Sequence, residues 1–234
     1  MVKYPYGKDV FPYFYQQRRT VMEREFKGLI FNLDGVICHT DRYHHQAWAE
    51  TCNHHLIHFS PETVDVIRGK TRRTSLELIL KMSGDRISEK EKEEILIEKD
   101  ELYKSYLSQM PKDIIVPEAV ATLDKLKDAG YSMAIGSSSR NTKLVLEKLD
   151  LGKYFDAVVD GKMIHTSKPD PEVFLKAASL LGLKPEDCLV IENTESGIMA
   201  GKNGGFATAG IEHASGMKEI DYMLADLTDL LLFL

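Results

Sequence analysis

Apolar residues fall along this chain in two textures. From Gly28 a short run, Leu29-Ile30-Phe31, ends in Asn32-Leu33-Asp34-Gly35, the pattern of a buried strand stopping at a loop. Between residues 40 and 110 apolar positions recur at helical spacing, with Ile67, Leu76, Ile79, Leu80, Ile95, Leu102 and Tyr106 among them. Two helix starts are written into that stretch: Ser60 followed by Pro61, and Ser88 with Glu91 three residues on. After Pro117 short apolar runs alternate with helical stretches. Strands are predicted at Tyr131 to Gly136, Ala157 to Val159, Cys188 to Ile191 and Phe206 to Ala209, and helices beginning near Pro117, Asn141, Asp170-Pro171 and Thr194. Residues 1–25, rich in Tyr, Phe, Arg and Gln, follow neither period and are expected to form an N-terminal arm.

Strand and helix in alternation predict an α/β fold with a parallel sheet, whose ligands collect at the carboxyl ends of the strands. Those ends carry Asn32 and Asp34, then Ser137, then Lys168 in the loop before a helix, then Glu192 and Asn193. The composition, with 43% hydrophobic and 28% charged residues among 234, is that of a globular chain able to bury a real core. A net charge of -6 gives no basic footprint, so nucleic acid is not an expected partner. Cys38, Cys52 and Cys188 are odd in number and contain no C-x-x-C pair, which argues against a disulfide framework or structural zinc. No apolar run approaches bilayer length. A cytoplasmic monomer without membrane contact is therefore the expectation.

The strand-end residues, in their order and spacing, resemble the haloacid dehalogenase superfamily of phosphotransferases over residues 27 to about 230. Phe31-Asn32-Leu33-Asp34-Gly35-Val36-Ile37, Tyr43-His44 with Ala47-Trp48, and Gly69-Lys70-Thr71-Arg72-Arg73-Thr74-Ser75-Leu76 are similar to its beta-phosphoglucomutase-like subfamily. The resemblance implies a Rossmann-like core over 26–39 and 111–234, with a helical cap, 40–110, inserted after the first strand and closing over the site.

It also implies roles. The family pattern is D-x-D-G-V, whose first Asp attacks phosphorus and whose second is the general acid and base. Here the first position is Asn32 and the second is Asp34. An amide oxygen carries no full charge and makes a poor nucleophile toward an anionic phosphoryl group. Loss of a nucleophile costs on the order of 10^6 in turnover, so the chain is expected to be nearly inactive. Ser137 matches the position that hydrogen-bonds the transferring phosphate, and Lys168, in Ser167-Lys168-Pro169-Asp170-Pro171, the lysine that neutralises its charge. Glu192 and Asn193 match the pair that helps hold Mg2+ beside the residue at 32 and the backbone carbonyl of Asp34. With 32 and 193 both amides, Glu192 is the one charged ligand, and weak Mg2+ affinity is expected. In the cap, His44 would orient Asp34 or couple its protonation to cap closure, Arg72 would clamp the distal phosphate of a bisphosphate and Lys99 would lie near the sugar. Ser139, Arg140 and Asn141 follow in the order of a second phosphate-binding segment.

The first expectation is thus a mutase interconverting beta-glucose 1-phosphate and glucose 6-phosphate through a 1,6-bisphosphate. The alternatives are a cap-bearing phosphatase of small phosphate esters or pyrophosphate, and a non-catalytic phosphate-binding regulator. The partner in each case is a phosphorylated sugar or small phosphate ester. His54, His55 and His58 are read as helix-end charges rather than a metal site, and the run from Glu89 to Glu94 as a solvated helix face held by local pairs.

Overall fold

The computed structural model describes residues 25–234, so the expected arm over 1–25 lies outside the described residues except at Glu25. Six strands form one parallel sheet in the order β3-β2-β1-β4-β5-β6. They are β1 (Gly28–Phe31), β2 (Ser132–Gly136), β3 (Ala157–Val159), β4 (Cys188–Glu192), β5 (Ala207–Gly210) and β6 (Tyr222–Met223). β1 is central because its three side chains, Leu29, Ile30 and Phe31, can all be buried, and the period of two sends them to opposite faces. Leu29 and Phe31 join Met133, Ile135, Leu189 and Ile191 in one core layer, while Ile30, Ala134 and Val190 join the other. The predicted strands match within one residue at each end. β6 was not expected, since two residues show no alternation to read.

Four helices fill the chain between β1 and β2: α1 (Asp41–His54), α2 (Pro61–Ile67), α3 (Arg72–Ser83) and α4 (Glu89–Ser108). Both predicted starts are present. Pro61 opens α2, and at α4 the Ser88 hydroxyl accepts from Glu91 N at 3.2 Å while the Glu91 carboxylate accepts from Ser88 N at 2.8 Å. These helices enclose a core of their own, in which Trp48, Cys52, Ile67, Leu76, Ile79, Ile95 and Leu96 are packed together. The Glu89–Glu94 run is more than a locally paired face. Arg73 of α3 pairs with Glu89 and Glu93, and Lys92 reaches Glu77 at 3.1 Å, so the run ties α4 to α3. The sheet is flanked on one face by α5 (Ala119–Asp128) and α6 (Thr142–Leu149), on the other by α7 (Glu172–Leu180) and α8 (Glu195–Asn203). All three cysteines are buried and unbridged. No helix among the described residues is long and apolar enough to cross a membrane.

Candidate active site

The chain leaves β1 toward β2 on one side of the sheet, while β4 lies on the other. A crevice therefore opens at the carboxyl ends of these strands, where open α/β sheets take their ligands. Helices α1, α3 and α4 stand over it. The resulting pocket, partly open to solvent, is lined by Asn32, Asp34, His44, Arg72, Lys99, Asp100, Ser137 to Asn141, Asn193 and others. Every expected site residue except Lys168 and Glu192 lines it; those two lie beneath its floor.

The floor is a closed chain of hydrogen bonds. Lys168 is buried and donates to Glu192 Oε1 at 2.5 Å, to Asn32 Oδ1 at 3.3 Å and to the Gly136 carbonyl at 3.4 Å. Glu192 Oε2 accepts from the backbone N–H groups of Asn193 and Thr194, both at 2.8 Å, and from the Thr194 hydroxyl at 3.0 Å. Gly197 makes room for that carboxylate under the first turn of α8: a Cβ there would sit 2.0 Å from Glu192 Cδ. Asn32 Nδ2 donates to the Asp34 carbonyl at 2.9 Å and to Asn193 Oδ1 at 3.1 Å, and Asn193 Nδ2 faces Glu212 Oε2 at 3.4 Å. The neighbours fix the amide of Asn32. An ammonium can only donate and a backbone carbonyl can only accept, so Oδ1 must face Lys168 and Nδ2 must face Asp34. Gly35, at φ +78°, passes so close that a Cβ would lie 1.9 Å from Asn193 Nδ2.

This floor does not fit a divalent cation. The Asp34 carbonyl and Asn193 Oδ1, two of the oxygens expected around Mg2+, are held by the Asn32 amide nitrogen, and Asn32 Oδ1 faces an ammonium. Glu192, the expected charged ligand, has both oxygens spent on Lys168 and the start of α8. Magnesium wants carboxylates or free oxygens around it, and none converge here. No cluster of three acidic, His or Cys side chains suited to a metal occurs among the described residues. His54 and His55 instead share Glu98, at 2.6 and 2.8 Å.

One wall of the pocket holds a proton-bearing group. Asp34 Oδ2 lies 3.9 Å from His44 Nε2, and its Oδ1 is buried without a hydrogen-bond partner. Burial, with Asp41 next, pushes the Asp34 carboxyl up to about 7. His44 stacks on Tyr103 with ring centroids 3.8 Å apart, and its Nδ1 lies 2.7 Å from Lys99 Nζ. With Lys99 donating to Nδ1, the proton of a neutral imidazole sits on Nε2, facing Asp34. Burial, then the charge of Lys99, holds His44 well below its ordinary value. Lys99 itself is buried over Tyr103 and Trp48, and burial, followed by Arg72, brings it down to about 7.

At the far end, Arg72 opens α3 and Asn141 holds the N-cap position of α6 without a side-chain cap bond, and the side chains of both meet a carboxylate. Both converge on Asp100, which sequence reasoning passed over inside a run of charged residues. Glu212 was also missed, since nothing in its local sequence marks it, and Thr194 was read only as a helix start. Two contacts join the helices to the loop that carries Lys168: Lys70 donates to the Lys168 carbonyl at 2.9 Å, and Thr71 N to Ser167 Oγ at 3.0 Å.

Residues 29–211 match the model of the haloacid dehalogenase-like hydrolase family. The chain is 34% identical to beta-phosphoglucomutase of Bacillus subtilis over 208 residues, covering 88% of this chain and 92% of that one. It is 28% identical to a fructose-1-phosphate phosphatase of Escherichia coli over 205 residues, covering 87% of this chain and all of the relative. A crystal structure of beta-phosphoglucomutase from Clostridium difficile superposes with a TM-score of 0.83 at 28% identity, covering 88% of this chain and 93% of that one.

Proposed function

The chain belongs to the haloacid dehalogenase-like hydrolase family, and on that footing we propose that its pocket takes a phosphorylated sugar or small phosphate ester and holds it without transferring the phosphoryl group. Its relatives are phosphotransferases and phosphatases, generally Mg2+-dependent. The observation that carries the reading is Asn32. It stands at the end of the central strand, where the resemblance expects a nucleophilic carboxylate, and all its polar atoms are engaged in a floor that balances without a cation.

In this reading the phosphate lies against Ser137 and Ser138, above the buried Lys168, whose charge reaches it through Asn32. Ser138 Oγ is a buried polar atom with no protein partner and is available to it. Asp34, protonated near neutrality, donates to the bridging ester oxygen, and His44 keeps it oriented. No bond to phosphorus forms at Asn32, because its amide oxygen carries no full negative charge to drive the attack. The helical segment 40–110 acts as a cap that moves against 26–39 and 111–234 to admit the ligand.

The test is two-part. The chain should bind glucose 6-phosphate by calorimetry with no phosphate release. The Asn32→Asp variant, assayed with MgCl2, should turn over at a rate at least about 10^3 above it. Bisphosphate-dependent isomerisation of beta-glucose 1-phosphate by the variant would make the ancestral reaction a mutase, and phosphate release alone a phosphatase. A variant as inert as the chain overturns the reading.

A further inference from the structure

The resemblance expects the far end of the pocket to clamp a second phosphate with Arg72 and the Ser139-Arg140-Asn141 segment. The structure puts a carboxylate there instead. Asp100 of α4 brings one oxygen, Oδ1, within 2.8 Å of Asn141 Nδ2 and 3.2 Å of Arg72 Nη1, and its other oxygen within 2.6 Å of Lys104 Nζ. An anion is thus already seated on the groups that would receive one. These contacts hold the Asp100 carboxyl below the usual carboxylate range, so it stays ionised at neutral pH.

The Arg72 contact has a second aspect. Arg72 Nη1 is buried and, although close enough to Asp100 for an ion pair, makes no hydrogen bond in this arrangement. Its charge is compensated while one of its N–H donors is left without a partner. A compensated guanidinium with an open N–H suits a neutral acceptor such as a sugar hydroxyl. A phosphate dianion would have to expel the carboxylate or lie beside it, like charge against like charge. Arg140, the remaining cation at this end, is exposed to solvent and offers a screened contact only.

We propose that Asp100 sets the substrate class of this pocket: by occupying the far anion position it admits monophosphate esters whose other end is uncharged and excludes bisphosphates. The proposal rests on the phosphate-binding reading given above, and it favours a phosphatase-like ligand over the bisphosphate of a mutase.

Calorimetric titration of the full chain with glucose 6-phosphate and with glucose 1,6-bisphosphate tests it. In the chain the bisphosphate should bind no tighter than the monophosphate. In Asp100→Asn, which keeps the shape and removes the charge, the affinity ratio of bisphosphate to monophosphate should rise at least tenfold. Adding Arg72→Gln should abolish that rise. Asp100→Ser serves in the same role if the first variant does not fold. An unchanged ratio, or a bisphosphate already bound tenfold more tightly by the unaltered chain, overturns this proposal alone. Absence of binding by either ligand to the chain and to every variant overturns the pocket reading and this proposal with it.

Discussion

Asn32 differs by one heavy atom from the aspartate that the resemblance expects there, and that atom reverses the electrostatics of the floor. A carboxylate at 32 would face Lys168 with one oxygen and repel the Asp34 carbonyl and Asn193 Oδ1 with the other, a cluster of oxygens that a cation can satisfy. The amide donates to both oxygens instead. Titration with Mg2+ should therefore show Asn32→Asp binding at least about tenfold more tightly than the chain, and equal affinities would remove the argument. Lys99 lends itself to a stability measurement. Its pKa is lowered from 10.5 to about 7, so the folded state holds fewer protons than the unfolded chain between those values. The cost of burying it is full below pH 7 and shrinks as pH rises toward 10.5. Lys99→Met should accordingly raise the melting temperature most near pH 6, by the equivalent of a few kcal/mol, with the gain falling by pH 9. A gain that grows with pH would contradict the assignment. Asn32, Ser137 and Glu192 were legible because each stands where a strand's apolar run ends and polar residues begin, whereas His44, Arg72 and Lys99, on helices, came only through the resemblance. Asp100 was not, since in Lys99-Asp100-Glu101 a pocket carboxylate and a solvated one look alike until the helix is placed.

At the scale of elements, the sequence spoke most clearly through strand runs and helix caps. β1 to β5, Pro61 and the Ser88–Glu91 box follow from local physics, whereas β6 exists only because β5 offers it an edge. The start of α8 is the element on which the floor depends. Thr194 caps it through a bond from Gly197 N at 3.1 Å, and the same turn receives Glu192. In sequence Gly197 reads as a weak point in a helix; in the fold it is the space a buried carboxylate needs. Gly197→Ala should force Glu192 off Lys168 and leave a buried ammonium unpaired, costing about 3 kcal/mol or more. Urea denaturation should show the midpoint falling with the slope unchanged. By contrast Ser88→Ala, at an exposed cap, should cost about 1 kcal/mol. Comparable losses for the two would mean that the Glu192 cradle is not what Gly197 serves.

For the whole molecule, the pocket exists because two cores meet across it. The helices between β1 and β2 bury Trp48, Leu76 and Ile79 among themselves, while Tyr103 and Leu107 of α4 join the sheet's own core. The sequence reveals both cores through the change of period near Pro117, but not how they meet, because that depends on contacts between residues 41 to 96 positions apart. Thr71 N to Ser167 Oγ and Asn141 Nδ2 to Asp100 are such contacts, polar and few, on either side of the ligand space. Bonds of this kind contribute about 1 kcal/mol each, well below the stability of either core, so separation across the pocket should precede unfolding. Ser167→Ala with Asn141→Ala should then speed hydrogen exchange at Thr71, whose amide loses its acceptor. Exchange at Ile30 and Val190, inside the sheet, should stay at the global rate. Were the sheet amides to accelerate equally, the helical segment and the sheet would be one cooperative unit, and ligand entry would have to come from side-chain motion at the pocket mouth.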